Sequence, residues 1–137
     1  MIVLDTNLVS ELMKPAPDEQ VQKWLLSIGG QTITTTAITV MEIEYGLQRL
    51  PDGRRRSDLQ DRFVALIAAL TVLPLDDIAA QRAGQLRAMR DSIGSPATAS
   101  DMMIAGIVTI SGATLATRNV KDFEGLPIQI VDPWQAQ

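Results

Sequence analysis

Five acids stand out by where they fall. Asp5 ends the apolar run MIVL, and Glu42 and Glu44 interrupt AITVMEIEYGL. Asp101 opens the apolar turn DMMIA, and Asp122 lies in TRNVKDFEG. Carboxylates brought together without bases repel one another, and a divalent cation is the usual way to hold them. The rest of the composition narrows the chemistry, because the chain has no histidine and no cysteine. That removes Ser-His-Asp and Cys-His nucleophiles, paired-histidine acid–base catalysis, and thiolate or imidazole zinc sites. Hydrolysis by this chain would have to run on carboxylates, hydroxyls, lysine and arginine, with or without a metal. Oxygen-only ligands favour Mg2+ or Mn2+ over zinc.

Each acid also has a plainer reading. Asp5, Thr6 and Asn7 are all competent helix caps at a strand–helix junction, so cap and ligand both stand for Asp5. Asp101 follows Thr98 by three residues, the spacing of a capping box with Asp in place of Glu. Yet the residues after it are apolar, and an acid held that near a core needs a partner. Periodicity does not separate Glu42 from Glu44, and a solvated helix face suits either taken singly. Asp122 would ordinarily be a turn residue near Gly125, but Thr117, Arg118, Asn119 and Lys121 crowd polar groups around it. Asp76 and Asp77 read as a helix start. Arg54, Arg55 and Arg56 read as a solvated helix end or a grip on phosphate.

The elements that must position these acids alternate. Residues 2–5 form a short β-branched strand, followed by a helical stretch NLVSELMK that Pro15 and Pro17 end. A second helix runs to Gly29-Gly30, then QTITTT is strand-prone and AITVMEIEYGLQRL helical. PDG at 51–53 turns the chain into a long helix from Arg54 to Ala69. TVLPL is a strand, DDIAAQRAGQLRAMRDSIG a helix, and TASDMMIAGIVTIS a helix ended by Gly112. ATLAT is a strand, RNVKDFEGLP a loop with one helical turn, and PIQIV the last strand. Strands separated by helices predict one α/β domain over 1–137, a three-layer α/β/α arrangement around a short central parallel sheet. Ligands in such sheets gather at the carboxyl ends of the strands, where Asp5 and the stretch after LAT fall.

Length and composition agree. The chain has 137 residues, 46% of them hydrophobic, with a mean hydropathy of +0.12. It is long enough to bury a core. No apolar run is long enough for a membrane span, no secretory leader is recognisable, and cysteine is absent, which together predict a cytoplasmic protein. The net charge of −4 comes from 16 acids and 12 bases. Four acids committed to a metal would leave the remainder balanced, so the acidity does not exclude a polyanionic substrate.

Four pieces, IVLDTNLVSEL, ITVMEIEYGL, ASDMMIAG and LATRNVKDFEGLPIQIVDPW, resemble the PIN domain in order and spacing over almost the whole chain. Within that family they resemble the VapC/FitB toxins of bacterial toxin–antitoxin pairs. The resemblance implies a metal-dependent endoribonuclease that uses Mg2+ or Mn2+ and is silenced by a cognate antitoxin. It makes Asp5 the acid of the first strand and selects Glu42, four residues before Gly46, as the helix acid. It makes Asp101 the head of the D-x-x-I-A motif and Asp122 the late acid. Thr6, Thr117, Asn119 and Arg118 would orient ligands or RNA phosphate around them, and the Arg54–Arg56 cluster would meet the RNA backbone. Many relatives carry an acid where Asn119 stands, so either Asp122 completes the set or Asn119 acts through water. Homodimerisation is also implied, through FVALIAAL or Trp134, although core packing is the preferred reading of FVALIAAL. The rival readings are a catalytically weak PIN-fold binding module and a phosphoacceptor receiver domain. A receiver would need an acid pair after the first strand, where this chain has one acid.

Overall fold

Strand β1 (Ile2–Leu4) is buried along its whole length and alternates between two cores. Val3 joins one, Ile2 and Leu4 the other, as the two-residue period of a strand requires. The computed structural model describes residues 1–135. After β1 come α1 (Thr6–Leu12), α2 (Glu19–Ser27), β2 (Ile33–Thr36), α3 (Ala37–Arg49), α4 (Arg54–Ala68) and β3 (Thr71–Leu73). The chain continues through α5 (Asp77–Ser92), α6 (Ala99–Ser111), β4 (Thr114–Ala116), a 3-10 turn over Val120–Phe123 and β5 (Gln129–Val131).

The strands form one parallel sheet in the order β3-β2-β1-β4-β5. One face is covered by α1 to α4, through Leu8, Val9, Trp24, Ile43 and Phe63 among others. The opposite face is covered chiefly by α5 and α6, through Leu86, Met102, Ile104 and Val108. These are the three layers expected from the sequence. β2 carries three fully buried threonines, which an apolar core would ordinarily exclude. Two of their hydroxyls donate to carbonyls of β1, Thr34 Oγ1 to Ile2 at 2.9 Å and Thr35 Oγ1 to Leu4 at 2.8 Å. The polar atoms are thereby satisfied, and β2 is tied to the strand that leads to Asp5.

The chain moves outward from β1 to β2 and β3, then returns on the other side of β1 to β4. The order therefore reverses between β1 and β4, and a crevice opens past their carboxyl ends. The observed boundaries differ slightly from those expected: β1 stops at Leu4 and α1 begins at Thr6. Asp5 caps α1, while Thr6 and Asn7 lie inside its first turn rather than capping it. Gly112 ends α6 in the left-handed conformation, φ 67°, and Asp76 caps α5 by accepting from the Ala79 amide, both as expected. In the FVALIAAL stretch Phe63 is buried and Leu66 and Ile67 pack against the second core, so intrachain packing accounts for them.

Candidate active site

Asp5 emerges from β1 into the crevice and is almost wholly buried. Its amide donates to Ala116 O at 3.0 Å, extending the β1–β4 ladder by one bond and bringing it level with Thr117. Its carboxylate is then fixed on two sides. Oδ1 accepts from the Thr6 amide at 2.8 Å; Oδ2 accepts from Thr117 Oγ1 at 2.7 Å and from Asn7 Nδ2 at 3.1 Å. Burial pushes the Asp5 carboxyl above its usual range and the charge of Glu42 adds to this, while the bonds from Thr117, Thr6 and Asn7 oppose it.

Asn7 is a residue that sequence reasoning undervalued, having left it to cap the turn. Its Nδ2 also donates to Thr117 Oγ1 at 3.2 Å, and its Oδ1 accepts from the Arg118 amide at 3.1 Å. One side chain thus pins the β4 exit to Asp5. Asn119 closes the knot through its backbone, donating to Thr117 Oγ1 at 3.0 Å. Asn119 and Arg118 are exposed, and the Arg118 guanidinium lies over the Trp134 ring, 5.0 Å from its centroid. Arg118 thus approaches Asp5 only through its backbone, with its charge drawn to the C-terminal ring.

Glu42 reaches the same region from α3. Its Oε1 accepts from Thr6 Oγ1 at 2.6 Å, and Thr6 Oγ1 also lies 3.1 Å from Thr39 Oγ1. Glu44 accepts from Gln48 at 2.8 Å within its own helix. Tertiary placement thus separates the two acids that helical periodicity could not. Asp101 sits in the first turn of α6, where its amide donates to Thr98 Oγ1 at 3.1 Å, so the capping reading holds as well. Its carboxyl is pushed up to about 6, first by burial and then by the charges of Asp5, Asp122 and Glu42, against a bond from Thr98. Asp101 therefore feels all three of the other acids.

Asp122 is exposed on the 3-10 turn, and a second unforeseen residue holds that turn. Arg90 of α5 is buried and donates from Nη1 to the Asp122 carbonyl at 2.6 Å. It also donates from Nε to Ser95 O at 2.7 Å and from Nη2 to Ser95 Oγ at 2.9 Å. The signal for it is helical spacing alone: Arg90 continues the stripe of Ala79, Ala83 and Leu86, while its neighbour Arg87 is exposed. The described ion pairs, Lys14–Glu11 and Arg56–Asp52, lie outside the acidic set. Among the described residues no three acids close into a cage able to grip an ion unaided. The acids offer oxygen ligands only, a donor chemistry of the kind Mg2+ takes through one or two carboxylates and several waters.

The fold and the crevice define a class: a three-layer α/β domain with carboxylates gathered where the strand order reverses. The PIN domain model matches residues 2–127, and the chain belongs to the PIN domain family. It is 37% identical to VapC ribonuclease Y4jK of Sinorhizobium fredii, covering 98% of this chain and 99% of the relative. It is 33% identical to toxin FitB of Neisseria gonorrhoeae, over 98% of this chain and 99% of that one. The crystal structure of FitAcB from Neisseria gonorrhoeae superposes with a TM-score of 0.88 at 32% identity, covering 99% of this chain and all of that one.

Proposed function

We propose that the chain is an endoribonuclease dependent on Mg2+ or Mn2+, acting in the cytoplasm as a toxin that a cognate antitoxin holds silent. The observation that carries this reading is the buried Asp5 carboxylate held where the strand order reverses, with Thr6 bonding Glu42 beside it. The charges of Asp5, Asp122 and Glu42 all bear on Asp101, and a divalent cation would relieve that repulsion. The relatives named as a VapC ribonuclease and as a toxin support the ribonuclease and toxin parts of the reading.

Asp5 and Asp101 would hold the ion, with Glu42 and Asp122 binding it or its waters. When bound, the ion supplies an activated water and offsets charge on the phosphodiester undergoing attack. The chain's own residues set the geometry. Thr117 and Asn7 fix one Asp5 oxygen and the Thr6 amide fixes the other, so the carboxylate cannot rotate out of the crevice. Thr6 orients Glu42, and Arg90 holds the turn that carries Asp122. Acids that make no ion pair among the described residues also receive an arginine from a protein partner well, which is the means of silencing we assign to the antitoxin.

The test is incubation of the purified protein with total cellular RNA and Mn2+, with and without EDTA. Cleavage should require the metal and fall by at least about 100-fold in Asp5→Asn and in Asp101→Asn. Cleavage that persists in EDTA, or that survives both substitutions, would overturn the assignment.

A further inference from the structure

Two cavities flank α1 and share Lys14, Arg55 and Leu59. The first, about 330 Å3, is lined by Thr6 and Glu42 of the acidic crevice, over a floor that includes Met13, Ile43 and Leu47. The second, about 450 Å3, is rimmed by Lys14, Arg54, Arg55 and Arg62, with Asp58 the one carboxylate among its lining residues. Helix α1 joins them: Thr6 begins it and Lys14 lies two residues past its end. Its 7 residues rise roughly 10 Å, a short step along a nucleic-acid strand.

The four cations are held in different ways. Arg62 Nη1 donates to Met13 O at 3.2 Å, which fastens α4 to the end of α1. Lys14 Nζ donates to Glu11 at 2.9 Å. Arg54 and Arg55 are exposed, and no described carboxylate pairs with either. Arg56, the third member of the sequence cluster, turns away to Asp52 and Gln48. The tertiary structure therefore replaces the triplet seen in sequence with a set from α4 and the chain after α1. On a protein of net charge −4 this is a local concentration of positive charge beside an acidic crevice.

We infer that this pocket is a subsite for the RNA backbone beside the scissile phosphate, with Arg54 and Arg55 contacting neighbouring phosphates and Lys14 and Arg62 supporting them. The inference rests on the ribonuclease reading above. An acidic protein repels a polyanion at a distance, so a strand that reaches the carboxylates needs a cationic hold close by. Arginine forks match phosphate oxygens in pairs. A phosphodiester strand suits both ends of the groove, the cations directly and the acids through a metal. An acidic peptide suits the cationic end alone.

The experiment compares wild type, Arg54→Gln/Arg55→Gln and, as a control on α5, Arg87→Gln. Affinity for fluorescent oligo(U) is read by anisotropy in EDTA across a salt series, and cleavage of total cellular RNA is read in Mn2+. The double variant should bind oligo(U) at least about tenfold more weakly. Its slope of log K against log salt should be shallower by roughly 1.4, two single-strand phosphate contacts. Its apparent KM should rise with kcat retained, and Arg87→Gln should match wild type. A double variant that binds and cleaves like wild type would overturn the subsite while leaving the nuclease intact. Unchanged oligo(U) binding with lost binding of oligoglutamate would overturn it in favour of an acidic peptide. If wild type binds oligo(U) but cleaves nothing, the nuclease reading fails, while the comparison of affinities still decides the pocket.

Discussion

Asp5 caps α1, and the ligand role proposed for it does not compete with the cap. Its oxygens take the Thr6 amide, the Thr117 hydroxyl and the Asn7 amide, which cap the helix and fix the carboxylate at once. Glu42 and Glu44, two residues apart on one helix, differ because only Glu42 meets Thr6. Accordingly Glu42→Gln should lower metal-dependent RNA cleavage by about 10–100-fold. Glu44→Gln, assayed beside it, should leave cleavage unchanged, and equal losses would reject the distinction. For Asp101 the sign of the pH effect follows from its raised carboxyl, 3.8 ordinarily and about 6 in the fold. Between these values the folded protein keeps a proton that the unfolded chain has released, so stability falls as pH rises through the window. Thermal melts of the metal-free protein from pH 4 to pH 6.5 should show this decline, and Asp101→Asn should flatten it. A cation competes with that proton, so Mn2+ affinity in titrations should weaken as pH drops below about 6.

At the scale of elements, the acids are only as well placed as the helices that carry them. Helix α6 delivers Asp101, and it lies unusually close to α5. A Cβ built on Gly106 would stand 2.5 Å from Ala79 O and 2.9 Å from Ala83 N, both backbone atoms that cannot swing aside. Gly106→Ala should therefore push α6 from α5 and cost about 1–3 kcal/mol in urea unfolding. Cleavage should fall with it, because Asp101 moves away from Asp5. Arg90 links α5 to the Ser95 loop and to the Asp122 turn. In Arg90→Met the Asp122 and Ser95 carbonyls lose their donor, at about 1–3 kcal/mol for each buried group left unpaired. Arg90→Lys should restore part of the stability but less of the activity, since a single ammonium cannot span both loops.

The molecule as a whole places an acidic crevice and a basic pocket at opposite ends of one short helix. That polarity answers the difficulty an acidic nuclease faces with an acidic substrate. It also predicts how the fold responds to metal. A cation that binds the native site and not the unfolded chain stabilises the fold by mass action, about 2.7 kcal/mol at a hundredfold excess over Kd. The melting midpoint should rise with millimolar Mn2+ at pH 7.5, rise less at pH 5, and not move in Asp5→Asn/Asp101→Asn. A midpoint in the wild type indifferent to Mn2+ at both pH values would count against the site. No helix among the described residues is long and apolar enough to cross a membrane.

The sequence by itself determined the alternation of strands and helices, the parallel sheet and the caps at Asp76, Thr98 and Gly112. These follow from local periodicity and from residues whose preferences act within one turn of the chain. It also limited the chemistry, since the lack of histidine and cysteine leaves only oxygen ligands for a metal, and the family motifs singled out Asp5, Glu42, Asp101 and Asp122 as candidates. The tertiary structure decided what each residue touches. Asn7 joins Thr117 across 110 positions, Thr6 meets Glu42 across 36, and Arg90 reaches Asp122 across 32. The same is true of the basic pocket, where Lys14 and Arg62 replace Arg56. Such pairings depend on the strand order and the depth of helix packing, which no local preference encodes. The chain supplies the carboxylates, and the reversal of strand order at β1 and β4 sets the Asp5 carboxylate against Thr117 at the carboxyl end of the sheet.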